Sequence, residues 1–135
     1  MDMTKVLLPV DTERAPARAQ AELIVDLFDP ETVTATIFHV FEDNPEGASV
    51  SQLASARAAE DIFSDAGVTV TYEETGGEDP AEAIQSVASE KDVDLICLGT
   101  PDRTPAGKAV FGSVSQKLVL NAQTPVVFAP TTDAE

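Results

Sequence analysis

The stretch from Gly99 to Ser113 (Gly-Thr-Pro-Asp-Arg-Thr-Pro-Ala-Gly-Lys-Ala-Val-Phe-Gly-Ser) holds the residue types best suited to binding chemistry. It is a long connection in a chain whose other connections read as short, and such loops are often functional. Its end, Gly112-Ser113, leads into Ser113-x-x-Gln116, which has the form of a capping box. Free backbone amides at a helix start, a glycine that permits close approach and a hydroxyl together make a ready anion site. A plain capped helix after a surface loop has the same features, so from these residues alone both readings stand.

The charge map favours an interaction surface. Residues 103–132 contain no Asp or Glu, while Arg103, Lys108 and Lys117 supply three cations, so this stretch carries +3 and the remainder −19. Burial of the last strand explains part of that pattern but not the acid-free loop and helix.

Other chemistry-bearing residues are isolated. His39 is the single histidine, which excludes a two-histidine metal site, and at a strand end it reads as structural rather than catalytic. Cys97 lies inside an apolar strand with no activating partner and reads as inert core. Asp11 ends the first strand, as a phosphoacceptor aspartate would. However, no acidic pair accompanies it, and Phe128 leads to Ala129-Pro130 rather than to a lysine, so that reading fails. Residues 9–15 contain no glycine, which excludes a dinucleotide fingerprint after the first strand.

Alternating elements must position these residues. Val6–Val10 reads as a strand that ends at Asp11. Pro16–Phe28 repeats apolar residues at helical spacing through Ala17, Ala21, Ile24, Val25 and Phe28. Thr32–Phe41 is a second strand, followed by a polar loop through Asn44, Pro45 and Glu46. Ser49-x-x-Gln52 has capping-box form and predicts a helix with Ala59, Ile62, Phe63 and Ala66 on one face, stopped by Gly67. Val68–Tyr72 alternates as a third strand. Asp79-Pro80-x-Glu82 starts a helix with the buried stripe Ile84, Val87 and Ala88. Val93–Leu98 is the fourth strand, Val114 and Leu118 face inward on the last helix, and Val126–Phe128 is the fifth strand, before a frayed tail from Thr131 to Glu135. Five strands alternating with four helices predict one domain over 1–135, a doubly wound parallel sheet covered on both faces.

Composition narrows the partners. The 135 residues include 24 acids and 8 bases, a net charge of −16, with 43% hydrophobic residues, enough for a core. Such a charge repels nucleic acid and anionic lipid, so neither is an expected partner. No apolar run approaches the ~20 residues that span a bilayer. Met1–Lys5 shows no secretory pattern, and the single cysteine suits a reducing compartment, so a cytoplasmic location is expected. The acid excess is similar to that of proteins from salt-accumulating halophiles.

Taken together, these segments resemble the universal stress protein family over nearly the whole chain. Val6-Leu7-Leu8-Pro9-Val10-Asp11, Phe38-His39-Val40 and Asp94-Leu95-Ile96-Cys97-Leu98-Gly99-Thr100 resemble its strand endings. Gly112-Ser113-Val114-Ser115-Gln116-Lys117 and Thr124-Pro125-Val126-Val127 resemble its final helix and strand. Nucleotide-binding members carry Gly-x2-Gly-x9-Gly-[Ser/Thr], and Gly99, position 102, Gly112 and Ser113 keep that spacing. The resemblance implies a Rossmann-like open sheet of order 3-2-1-4-5 and a homodimer paired through the last strand, residues 124–129. It also implies a site for ATP, AMP or another adenine nucleotide. Ribose and phosphates would lie around Gly99, Asp102, Gly112, Ser113, Val114 and Ser115. Pro9, Val10 and Asp11 would lie on the sugar side, with Asp11 able to take part in holding Mg²⁺ with the nucleotide, and Val40 would lie near the base.

The departure from the motif is Asp102, which stands where those members have the second glycine. A carboxylate ~4 Å from a phosphate charge costs about 4 kcal/mol at an effective dielectric of 20. Molar salt, a bridging divalent cation, or Arg103 and Lys108 on the other side would reduce that cost. The expectation is a nucleotide-binding protein; slow ATP hydrolysis stays open, but the sequence offers no clear general base, so an enzyme is not expected. The alternative is the same fold without nucleotide, a dimeric interaction module of the stress response in which Asp102 marks a lost site. A small enzyme using Asp11 and the loop for adenylate chemistry lacks a second catalytic group.

Overall fold

Apolar runs rich in β-branched residues alternate with amphipathic stripes, and the computed structural model arranges them as a covered parallel sheet. It describes residues 3–41, 49–77, 79–99 and 113–130. The strands are β1 (Thr4–Pro9), β2 (Val33–Phe41), β3 (Thr69–Gly76), β4 (Leu95–Gly99) and β5 (Val126–Ala129). The helices are α1 (Arg14–Leu27), α2 (Ala54–Ala66), α3 (Pro80–Glu90) and α4 (Ser113–Asn121). The sheet order is β3-β2-β1-β4-β5 and every pairing is parallel, the expected 3-2-1-4-5 arrangement.

Period-2 alternation in the strands divides the core into two layers. Val6, Leu8 and Val10 of the first strand segment, with Val33, Ala35, Ile37 and Cys97, pack against Ala17, Ala21 and Ile24 of α1 and Ala56, Ala59 and Phe63 of α2. Leu7, Phe38, Ile96 and Leu98 point the other way, onto Ala81, Ile84, Val87 and Ala88 of α3 and Leu118 of α4. Alanines on α1, α2 and α3 let those helices lie close to the sheet.

The structure moves several boundaries. Ser49 and Gln52 do form a reciprocal cap, with the Ser49 amide donating to Gln52 Oε1 at 3.0 Å. They open only the 3₁₀ turn Val50–Gln52, and α2 starts afresh at Ala54. Strand β3 runs four residues past Tyr72. Its acids suit an edge strand: Glu73 pairs with Lys91 at 2.8 Å, and Glu74 accepts from the Val50 amide at 2.7 Å. A second 3₁₀ turn, Pro30–Thr32, precedes β2. As expected, Gly67 ends α2 in a left-handed conformation, φ 88°. Asp79 caps α3 by accepting from the Glu82 amide.

Candidate functional site

In an open α/β sheet, ligands bind beyond the carboxyl ends of the strands, where the winding direction reverses. With order 3-2-1-4-5 that point lies between β1 and β4. The β1–β2 ladder runs in register from Thr4↔Val33 to Pro9↔Phe38 and is extended by a bond from the Val10 amide to the Phe38 carbonyl. The β1–β4 ladder stops after Val6↔Leu95 and Leu7↔Ile96. The carboxyl ends of β1 and β4 are therefore not laddered to each other.

Gln20 of α1 fills that opening. Its side chain is almost wholly buried, at 1% exposure, and its Nε2 donates to the carbonyls of both Pro9 and Cys97 at 2.8 Å. One carboxamide thus satisfies a buried acceptor, Cys97, and a part-buried one, Pro9, where the ladder ends. A methyl group at Gly99 would come within 2.9 Å of Gln20 Oε1 and 3.0 Å of Pro16 Cβ. A side chain at position 99 would therefore crowd α1 and force Gln20 or Pro16 to shift, quite apart from any ligand. Sequence reasoning missed Gln20. Its only signal was a polar residue on the stripe Ala17, Ala21, Ile24, at a spacing that faces it into the core.

The end of β1 is held from the α2 side. His39 donates its Nδ1–H to the Val10 carbonyl at 2.7 Å, and Ser55, fully buried on α2, donates its hydroxyl to the Asp11 carbonyl. Val10 is buried, whereas the Asp11 side chain is exposed at the rim. The expected structural role of His39 is consistent with this bond and with its edge-on contact to Phe41 at 4.5 Å. Burial pushes the Cys97 thiol up to about 12, as suits inert core.

Val40 packs against the α3–α4 layer of the core, and its register partner on β3 is Thr75. The Thr75 hydroxyl oxygen is buried and has no hydrogen-bond partner among the described residues. On α4, Val114 and Ser115 are half-buried in the first turn, while Ser113 is the first helical residue. Asp102, Gly112, Arg103 and Lys108 lie outside the described residues, so the central part of the loop motif does too. The remaining cation of the acid-free stretch, Lys117, is engaged: its Nζ lies 3.3 Å from Asp79, tying α4 to the start of α3. Among the described residues no group of three or more His, Cys, Asp or Glu is placed to hold a metal ion, and no helix is long and apolar enough to cross a membrane.

A cavity of about 630 Å³ lies at the opposite end of the sheet, lined in part by Gln85, Ser86, Ser89, Gln123 and Thr124. It sits by the amino ends of β4 and β5, and its lining includes none of the expected site residues that are described.

Comparison with known proteins agrees with this topology. A universal stress protein of Mycolicibacterium smegmatis is 33% identical over 63 residues, 47% of this chain and 48% of that one, so the match spans about half of each. The solved universal stress protein of Archaeoglobus fulgidus superposes with a TM-score of 0.74 at 22% identity, covering 95% of this chain and 98% of that one. A universal stress protein solved in complex with cAMP gives 0.71 at 21% identity, covering 98% and 100%. The Archaeoglobus fulgidus protein in complex with dAMP gives 0.69 at 19%, covering 95% and 98%. The universal stress protein family model matches residues 3–130. With that span and the 3-2-1-4-5 sheet, the chain belongs to the universal stress protein family.

Proposed function

We propose that this protein binds an adenine nucleotide, ATP or AMP, across the carboxyl ends of β1 and β4. The observation that carries the reading is the early end of the β1–β4 ladder, which opens the sheet between Pro9–Asp11 and Gly99. Related folds solved with cAMP and dAMP support the ligand class. In this reading the base lies by Val40, beside the buried Thr75 hydroxyl, which has no hydrogen-bond partner among the described residues. The sugar lies by Pro9, Val10 and Asp11, and the phosphates by Gly99, Asp102, Gly112, Ser113, Val114 and Ser115. Mg²⁺ fits as a companion of the nucleotide, because Asp11 supplies one carboxylate and this ion commonly takes one or two alongside phosphate oxygens. In this reading the protein acts by binding the nucleotide.

One domain over 1–135 pairs with a second copy through residues 124–129. The position of β5 at the sheet edge supports this, since an unpaired edge exposes its backbone groups. A second reading rests on Asp102: the same dimer without nucleotide, working through protein contacts.

Calorimetric titration with ATP and with AMP in molar KCl, with and without Mg²⁺, separates the readings. Binding in either condition is expected. Its absence in both would leave the interaction module, and a gain of binding in Asp102→Gly would mark a lost site. Light scattering at twice the chain mass of 14.2 kDa is expected for the dimer.

A further inference from the structure

We propose that Gln20 is the positioning residue of the crevice, a buried wedge that sets the spacing of the β1 and β4 ends. The inference rests on the nucleotide reading for its functional part and on the sheet alone for its structural part.

Four observations converge on it. The parallel ladder between the two central strands ends after Leu7↔Ile96, although β1 continues to pair with β2 as far as Pro9. At that break the Gln20 carboxamide bonds the carbonyls of Pro9 and Cys97 at 2.8 Å each. Both acceptors are carbonyls, so the group facing them must be the NH₂ and the amide orientation is fixed by chemistry. The other end of the amide, Oε1, occupies the space a side chain at position 99 would need. Finally, the residue is 1% exposed, and its bond to Cys97 is fully buried.

A glutamine here does what a further ladder bond cannot. A direct β1–β4 bond would bring the strands to the usual ~4.8 Å spacing. The inserted carboxamide instead links the two carbonyls through its own width and anchors both to α1. The strand ends beside Val10–Asp11 and Gly99 are thereby held apart at a fixed distance, and α1 becomes part of the site without touching ligand.

Gln20→Met keeps the volume and removes both donors; Gln20→Asn keeps the donors on a stem one methylene shorter. Nucleotide titrations and crystal structures of both variants test the proposal. In protein shown to be folded by its amide spectrum, we expect AMP affinity to fall about tenfold or more in Gln20→Met, with partial recovery in Gln20→Asn. Lower thermal stability with affinity within about twofold of the parent would assign Gln20 to folding alone and overturn the positioning role. If the parent binds neither AMP nor ATP, the nucleotide reading fails and the crystal structures decide the wedge. Direct β1–β4 bonds beyond Leu7↔Ile96 in the variant support it, and an unchanged gap overturns it. Should Gln20→Met not fold, Gln20→Asn carries both measurements.

Discussion

His39 and Val10 are joined by a hydrogen bond of 2.7 Å from the imidazole Nδ1 to the backbone carbonyl. A carbonyl only accepts, so Nδ1 is the donor. The single histidine thus acts as a strut between β2 and the end of β1. Replacing it with alanine removes one donor from a part-buried carbonyl. His39→Ala is expected to cost about 1–2 kcal/mol in urea unfolding and to weaken the proposed nucleotide binding, because Val10–Asp11 loses a support. Unchanged stability would mean that water takes over the carbonyl.

Tyr72 is the one tyrosine of the chain, and there is no tryptophan. Its hydroxyl donates to the Glu60 carboxylate. Burial, that bond and the charges of Glu60 and Asp61 all raise its ionisation above the ordinary 10.0. A spectrophotometric titration should show no tyrosinate at pH 10 in the folded protein and a normal curve in denaturant. The folded state holds the proton more tightly, so this group's contribution is intact below pH 10 and falls as pH rises beyond it. Tyr72→Phe should cost about 1 kcal/mol at neutral pH and flatten that decline.

Asp79 behaves in the opposite sense. Its ionisation is lowered, first by the bond from the Glu82 amide and then by Lys117. A depressed carboxylate contributes above its unfolded value of 3.8, and the contribution is lost as pH falls through the folded value. Asp79→Ala should therefore lower the melting temperature at pH 7, with the difference from the parent narrowing below pH 3.8. A difference independent of pH would show that the charge contributes nothing.

Cys97 lies on β4 with its sulfur 3.7 Å from the Gln20 carbonyl, and burial holds the thiol in its neutral form. A thiol reagent at pH 8 should leave the native protein unmodified and label one site after unfolding. Rapid labelling of the native protein would show that β4 opens readily.

Phe63 is fully buried where α2 meets the sheet. Phe63→Ala should cost about 3–5 kcal/mol, because a large void among alanines closes poorly. The slope of the denaturant transition should stay unchanged if the native state remains compact.

Period and punctuation made most of the fold legible. The apolar run Val6–Val10, the stripe Ile84, Val87 and Ala88, and the stop at Gly67 are local patterns. Each appears where it was expected. The reading faltered at Glu73 and Glu74, which looked like the end of β3. An edge strand accepts charges that pair sideways, and Lys91 lies far along the chain from Glu73. The cap at Ser49 was recognised, but not that it closes a single turn.

Residue order thus determined the strand–helix alternation, the family and the places where the strand ends emerge, because burial imposes a short period on neighbouring residues. Tertiary structure alone decided where the central ladder stops, what crowds position 99 and how the β1 end is held. Those features join Gln20 to Cys97 across 77 positions, Ser55 to Asp11 across 44 and His39 to Val10 across 29. A hydrogen bond between such distant residues leaves no periodic trace in the chain. It exists only once two packed layers bring a helix against the open end of the sheet.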